Sequence, residues 1–296
     1  MEKYDLVVIG TGVGASSAAY QCREAGLKVA VVDKNPFGGT CALRGCDPKK
    51  VLVGAAEIMD SIKRMQGKGI DPGSAINWHD LMAFKRTFTD PVPEKNEKAY
   101  EEAGIDSYHG TASFISHNQL QVNGEQMEFG HLLIASGSRP QPLGIGGEEH
   151  VRTSDDFLEL DRLPDRLVFI GGGYISFEFA HVAARAGAEV HIIHRSAKPL
   201  KHFDQDLVAL LVKRSREVGI QVHLDMQPES IEKQAEGFVV HVKHGGESIQ
   251  MECDMVFHGA GRIPDIEELD LETGNVKADR KGIVVNEFLQ SVSNPL

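Results

Sequence analysis

Cys41 and Cys46 are the residues of this chain best suited to do chemistry. They lie in the stretch Gly38-Gly39-Thr40-Cys41-Ala42-Leu43-Arg44-Gly45-Cys46-Asp47-Pro48-Lys49-Lys50. In a regular α-helix, residues five apart are separated by ~7.5 Å along the axis and point to different faces. A disulfide needs Cα atoms within ~7 Å and converging Cβ vectors. Pairing these two cysteines therefore requires a distorted turn. Gly45 permits one because it has no Cβ, and Pro48 suits the early part of a helix that follows. Arg44, Lys49 and Lys50 bring positive charge, which favours a thiolate over a thiol. The stretch reads as a redox-active dithiol. Two inert thiols, or half of a zinc site, are the alternatives. Zinc would need further ligands at C-x₂₋₄-C or H-x₃₋₅-H spacing, and Cys22 and Cys253 stand alone.

Two glycine-rich loops frame this stretch. Leu6 to Ile9 is a short apolar strand that runs into Gly10-Thr11-Gly12-Val13-Gly14-Ala15. A helical pattern follows to Ala25, and then a second strand from Lys28 to Asp33. Such a strand–glycine loop–helix–strand unit binds a dinucleotide, with the pyrophosphate on the helix N-terminus. Asp33, 23 residues after Gly10, suits a ribose hydroxyl. Some 160 residues on, Leu167 to Ile170 leads into Gly171-Gly172-Gly173-Tyr174-Ile175-Ser176, a helix to about Ala186, and the strand Val190 to Ile193. The frame is repeated, and a repeat carries far more weight than one glycine loop. The second unit ends in His194 rather than an acid, followed by Arg195, Lys198 and Lys201. Cationic groups at this position accommodate a 2′-phosphate, which favours NADPH over NADH.

The segments between these units read more plainly. Val51 to Lys68 has helical apolar spacing, residues 69–74 form a loop, and Asn77 to Ala103 is helical with breaks at Pro91 and Pro93. Asp106 to Ile134 and Gln221 to Phe257 alternate with period two and predict two small β-meanders. Ser136 to Pro140 and Gly259 to Pro264 are small-residue turns of similar style. The expected fold is α/β, with two Rossmann-like dinucleotide-binding domains, each with a small β-meander. The expected boundaries are 1–150, 151–275, and a return to the first domain from 276 to 296.

The chain has 296 residues, 41% hydrophobic and 25% charged, and a net charge of -12. The acidity disfavours nucleic acid or an anionic membrane as a partner. No apolar run approaches the ~18 residues of a membrane span, and the N-terminus has no signal-peptide pattern. A cytoplasmic location is expected, where a cysteine pair is more often catalytic than structural.

The combined pattern resembles the flavoprotein disulfide reductases, which include glutathione reductase, dihydrolipoamide dehydrogenase and mercuric reductase. Four segments carry the resemblance: the Gly10 loop, Gly-Gly-Thr-Cys-x₄-Cys-x-Pro-x-Lys, Gly-Gly-Gly-Tyr-Ile-x-x-Glu ending at Glu178, and Gly-Arg-x-Pro at Gly261. The resemblance implies FAD on the first domain, redox chemistry at Cys41 and Cys46, and NADPH on the second domain. It implies that Cys46 lies against the flavin and that Cys41 attacks substrate. It implies that Lys50, rather than Lys49, pairs with Glu178, and that Tyr174 lids the flavin. Gly39, Thr40, Lys34, Ala112, Ser136, Gly137 and Arg139 fall in flavin-contacting segments. Gly12, Gly14, Ala15, Gly173, Ile175, Lys201, Arg262 and Lys49 complete the expected cofactor residues.

The expected function is electron transfer from NADPH through FAD to the Cys41–Cys46 disulfide and on to a small-molecule or protein disulfide. An NADH-linked dihydrolipoamide-type dehydrogenase, a metal-ion reductase and a non-catalytic nucleotide-binding fragment are the alternatives. No metal site is expected. Asp47 stands where the family has an apolar residue, and a carboxylate there opposes a thiolate. Val13 and Tyr20 replace a serine and an arginine that serve glutathione, which weakens glutathione as substrate. The family continues into an interface domain that supplies dimerisation and an acid/base histidine. The chain is therefore expected to be either a fragment or a natural truncation, to bind flavin poorly and to turn over slowly by itself; a homodimer is expected for the full-length family member.

Overall fold

The computed structural model describes residues 1–71 and 73–296. Of the loop expected over 69–74, Pro72 lies outside the described residues. In chain order the elements are β1 (Glu2–Ile9), α1 (Val13–Glu24), β2 (Val29–Asp33), a π-helical turn (Thr40–Arg44), α2 (Cys46–Met65), α3 (Trp78–Thr89) and α4 (Val92–Ala103). Then come β3 (Asp106–His109), β4 (Ala112–Ser116), β5 (Gln119–Val122), β6 (Glu125–Ile134), β7 (Ser138–Pro140) and α5 (Ser154–Phe157). The second glycine-loop frame is β8 (Arg166–Ile170), α6 (Tyr174–Arg185) and β9 (Glu189–Ile193). It continues through α7 (Gln205–Glu217), β10 (Gln221–His223), β11 (Gln227–Lys233), β12 (Phe238–His244), β13 (Glu247–Cys253), β14 (Met255–His258) and β15 (Arg262–Pro264).

Two compact units result, one of residues 1–47, 88–139 and 262–296, the other of residues 48–87 and 140–261. In the first unit a six-stranded sheet runs β3-β2-β1-β6-β5-β4. Strands β3, β2, β1 and β6 are parallel, and β6, β5 and β4 are antiparallel. Alternate residues of β1 and β2 enter different cores. Leu6, Val8, Val29 and Val31 pack with Ala15, Ala19 and Tyr100, while Val7, Ile9, Ala30 and Val32 pack with Phe114, Leu120 and Phe129. Burial on both faces explains why these strands read as continuous apolar runs.

Two details differ from the sequence reading. Residues 106–109 belong to the parallel part of the sheet, because α4 carries the chain across to pair β3 with β2. The first meander is also not separate: β6 is ten residues long and serves both the parallel and the antiparallel halves.

In the second unit a four-stranded parallel sheet runs β10-β9-β8-β14. Leu167, Phe169, Val190 and Ile192 face α6 and α7, and Val168, Ile170, Ile193 and Val256 face the separate meander β11-β12-β13. Phe157 anchors an aromatic cluster, 4.5 Å from Phe179 and 5.3 Å from Phe257 between ring centroids. Helix α2 begins at Cys46, five residues earlier than its apolar spacing indicated. Pro48 is tolerated there because the amide it lacks has no intrahelical partner in the first turn.

Candidate functional site

The first glycine loop is built by close backbone approach. Gly10 has φ +107°, and a Cβ on it would meet the Ala135 carbonyl oxygen at 2.4 Å. A Cβ on Gly14 would meet nothing within 4 Å, so this side of the backbone is open to a ligand. Gly12 caps α1 without a side-chain hydrogen bond, leaving the amides of its first turn open to an anion. Ala15 is buried beneath the helix. Asp33 Oδ2 accepts from Thr11 N at 2.9 Å and Thr11 Oγ1 at 2.7 Å, and Oδ1 accepts from Asn35 N at 2.9 Å. One lone pair of Oδ1 therefore remains for a ribose hydroxyl. A narrow cleft of about 40 Å³ lies beside it, lined in part by Gly10, Asp33, Lys34, Ala112 and Ser136. Open glycine, uncapped helix and spare carboxylate lone pair together fit the adenosine diphosphate half of FAD.

The other residues expected to touch FAD are held by protein partners. Lys34 pairs with Asp265 at 3.1 Å and with Glu268, and Arg139 pairs with Glu267. Arg262 donates to Ser138 Oγ at 2.9 Å and to the Ser138 carbonyl. Gly137, at φ +78°, accepts from Asp265 N at 3.1 Å. Of the two positions that weakened glutathione as substrate, Val13 is exposed and Tyr20 stacks on Tyr100 at 5.3 Å.

The π-helical turn supplies the distortion the cysteine spacing demanded. It brings residues five apart into register, the geometry of an i→i+5 turn. A Cβ at Gly45 would lie 2.9 Å from the Thr40 carbonyl oxygen, so only glycine fits. Gly39 (φ +67°) is stricter still, since its Cβ would lie 2.3 Å from Gly12 Cα. Thr40, the first residue of the turn, is exposed. Cys41 is partly buried and Cys46 exposed; both carry free thiols, and the Cys41 proton is held toward Cys46.

The expectation of a lowered thiol pKa is corrected at Cys41. Its pKa lies above the ordinary thiol value, first because the bond to Cys46 holds its proton. Burial and the negative charge of Cys46 and Asp47 add to this.

The second glycine loop repeats the plan in the second unit. Gly171 has φ +108°, and a Cβ there would meet Gly259 at 2.4 Å. Gly173 caps α6, again without a side-chain bond, and Ile175 packs into the core. His194 takes the place that Asp33 has in the first loop. Its Nδ1 accepts from Gly172 N at 3.1 Å, and its Nε2 lies 3.1 Å from the Lys198 carbonyl. Burial lowers its pKa from the ordinary imidazole value. Arg195, Lys198 and Lys201 are exposed, and their side chains have no ion-pair partner among the described residues. Ser176 Oγ is buried with no hydrogen-bond partner among the described residues. Gly261, at φ +120°, accepts from Gln141 N at 3.0 Å.

A groove of about 910 Å³ runs between α2, α6 and α7, with Lys49, Lys50, Tyr174, Glu178 and His181 among its walls. Tyr174 is 55% exposed at its mouth. Glu178, one helical turn on, meets Lys49 Nζ at 2.6 Å. Lys50 was the expected partner; it lines the groove but makes no such pair. Sequence reasoning missed three further features. Thr11 braces Asp33. Asp60 is held by Arg185 at 3.2 Å and Arg214 at 3.1 Å. His181 accepts from Arg185 Nη1 at 2.8 Å, and burial and that guanidinium push its pKa down to about 4. Thr11 could have been flagged as the one hydroxyl inside the first glycine loop; the others depend on helix packing.

A sequence profile for the family described as pyridine nucleotide-disulphide oxidoreductase matches residues 4–295. The chain belongs to the pyridine nucleotide-disulphide oxidoreductase family. Among its relatives, mercuric reductase of Staphylococcus aureus is 33% identical over 98% of the chain and 54% of its own length. Glutathione reductase of Burkholderia cepacia is 32% identical over 100% of the chain and 66% of its own length. Dihydrolipoyl dehydrogenase of Haloferax volcanii is 31% identical over 95% and 61%. The HOCl-induced flavoprotein disulfide reductase RclA from Escherichia coli, solved as a Cu(II) complex, superposes with a TM-score of 0.88 at 26% identity, over 100% of this chain and 65% of that one. The chain thus spans between about half and two thirds of these proteins. Among the described residues, no helix is long and apolar enough to cross a membrane.

Proposed function

We propose that this chain forms the dinucleotide-binding and dithiol part of an FAD-dependent, NADPH-oxidising disulfide reductase. One observation carries the reading: Cys41 on a π-helical turn and Cys46 at the start of α2, two free thiols close enough for Cys46 to govern the Cys41 proton, stand beside a glycine loop fit for a dinucleotide. The first unit would hold FAD through the Gly10 loop and Asp33, and the second a nicotinamide nucleotide through the Gly171 loop. FAD, when bound, supplies the route by which an electron pair from the nicotinamide reaches the Cys41–Cys46 disulfide.

The remaining steps belong to the thiols. Cys41, once deprotonated, attacks one sulfur of the substrate disulfide, forming a mixed disulfide and releasing the first thiol with a proton. Cys46 then attacks the Cys41 sulfur, re-forming the internal disulfide and releasing the second thiol. Each cycle oxidises one dithiol and reduces one substrate disulfide. Cys46 raises the Cys41 pKa above the ordinary thiol value, so turnover should rise with pH as that proton leaves. Lys49, held by Glu178, is a fixed cation in the groove of the second unit. NADPH is favoured over NADH because no carboxylate stands at the end of β9, while Arg195, Lys198 and Lys201 are free to meet a 2′-phosphate. The full-length protein would be a homodimer.

The test equilibrates the chain with glutathione buffers and follows the Cys41–Cys46 disulfide by mass spectrometry. FAD and NADPH are then added with a panel of disulfides, dihydrolipoamide and a soft metal ion. Absence of the internal disulfide at every glutathione ratio sinks the reading. NADH preferred over NADPH, with lipoamide or metal ion as sole substrate, moves it to another branch of the family.

A further inference from the structure

Thr11 makes contacts that a residue between two loop glycines does not need for the loop alone. Its side chain is 1% exposed. Thr11 Oγ1 donates to Asp33 Oδ2 at 2.7 Å and accepts from the buried Gly38 N at 3.1 Å. The hydroxyl thus spends its proton on the carboxylate and a lone pair on the segment entering the redox turn. The next residue, Gly39, rests on the same loop, so close that a Cβ would lie 2.3 Å from Gly12 Cα. Gly38 and Gly39 both have positive φ, at +139° and +67°, so this backbone is held in a conformation few residues adopt. Cys41 follows two residues later.

We infer that Thr11 is a positioning residue: its hydroxyl ties the first glycine loop and Asp33 to Gly38, and so holds Cys41 within reach of Cys46. This rests on the dithiol reading given above. The physical reason is that a buried amide without an acceptor is costly, so removing the hydroxyl frees Gly38 to move. Freed backbone lowers the effective concentration of one thiol at the other. The reaction that reports it is balanced: Cys41–SH, Cys46–SH and one oxidised glutathione give the internal disulfide and two reduced glutathiones.

The experiment measures the equilibrium constant of that reaction for the wild type and for Thr11→Val, Thr11→Ser and Ser16→Ala. Thr11→Val keeps the shape and loses the hydroxyl; it should disfavour the disulfide by about tenfold or more. Thr11→Ser keeps the hydroxyl and should stay within about twofold of wild type. Ser16 donates to the Thr11 carbonyl at 3.1 Å but does not touch Gly38, so Ser16→Ala should leave the constant unchanged. A wild type that never forms the disulfide overturns the dithiol reading itself. A wild type that forms it, with Thr11→Val no different from Ser16→Ala, overturns the role of Thr11 alone. Should Thr11→Val not fold, hydrogen exchange of the wild-type Gly38 amide decides. Strong protection upholds the tie, and exchange at the rate of an open amide overturns it.

Discussion

Replacing Lys49 with methionine should uncouple Glu178, and replacing Lys50 should not. Lys49 Nζ lies 2.6 Å from Glu178 Oε1, with side chains 25% and 36% exposed. At that separation the gross attraction is roughly 2 kcal/mol at the dielectric of water and roughly 6 kcal/mol at an effective value of 20. Desolvation and the ordering of two long side chains offset most of it, and partly exposed pairs retain about 0.2–1 kcal/mol. The short contact places this pair near the upper end, so a coupling of about 1 kcal/mol is expected. The assay is a double-mutant cycle of Lys49→Met and Glu178→Gln by urea unfolding, with Lys50→Met and Glu178→Gln beside it. Coupling below ~0.3 kcal/mol for Lys49, or a larger coupling for Lys50, would refute the pairing.

Three further outcomes are expected. Cys46→Ala should move the alkylation midpoint of Cys41 to lower pH, and Asp47→Asn should do so by less, because the hydrogen bond that Cys41 donates to Cys46 is the larger cause; the reverse order, read by iodoacetamide rate against pH, would contradict this. Gly39→Ala should unfold the first unit or cost more than about 3 kcal/mol in a chemical melt, since backbone meets backbone at 2.3 Å with φ +67°. His181 has a folded pKa of about 4, below its unfolded value, so the stability it contributes is present above about pH 6.5 and is lost as pH falls toward 4. The full shift caps that loss at roughly 3 kcal/mol, and solvent access from the groove reduces it. His181→Gln should flatten the acid limb of the stability curve, and an unchanged limb would exclude the histidine.

Relations between chain neighbours were legible from the start. The frame β1–Gly10 loop–α1–β2 could be read because each piece is encoded by a few adjacent residues, and its repeat at Gly171 confirmed the period. The distorted turn was also legible, because Cys41 and Cys46 cannot meet on a regular helix and Gly45 stands where distortion is needed. The structure agrees with a π-helical turn over Thr40–Arg44. Less was legible where charges act through space. Arg44, Lys49 and Lys50 sit close to the cysteines in sequence, yet Lys49 is taken up by Glu178 and the Cys41 pKa rises instead of falling. It could be read that a residue other than an acid, His194, stands at the end of β9, but not that Gly172 would donate to its Nδ1.

By itself, the amino-acid order determined that this protein is an α/β chain with two glycine-loop units and one dithiol, because periodicity, glycine placement and cysteine spacing act over a few residues. Tertiary structure alone decided which lysine meets Glu178, since consecutive helical residues point ~100° apart and only the packing of α6 on α2 selects one. It also decided that β3 joins the parallel sheet, and that Thr11 stands between Asp33 and Gly38. Those are contacts between segments distant along the chain, and short-range pattern does not encode which side chains such segments bring face to face.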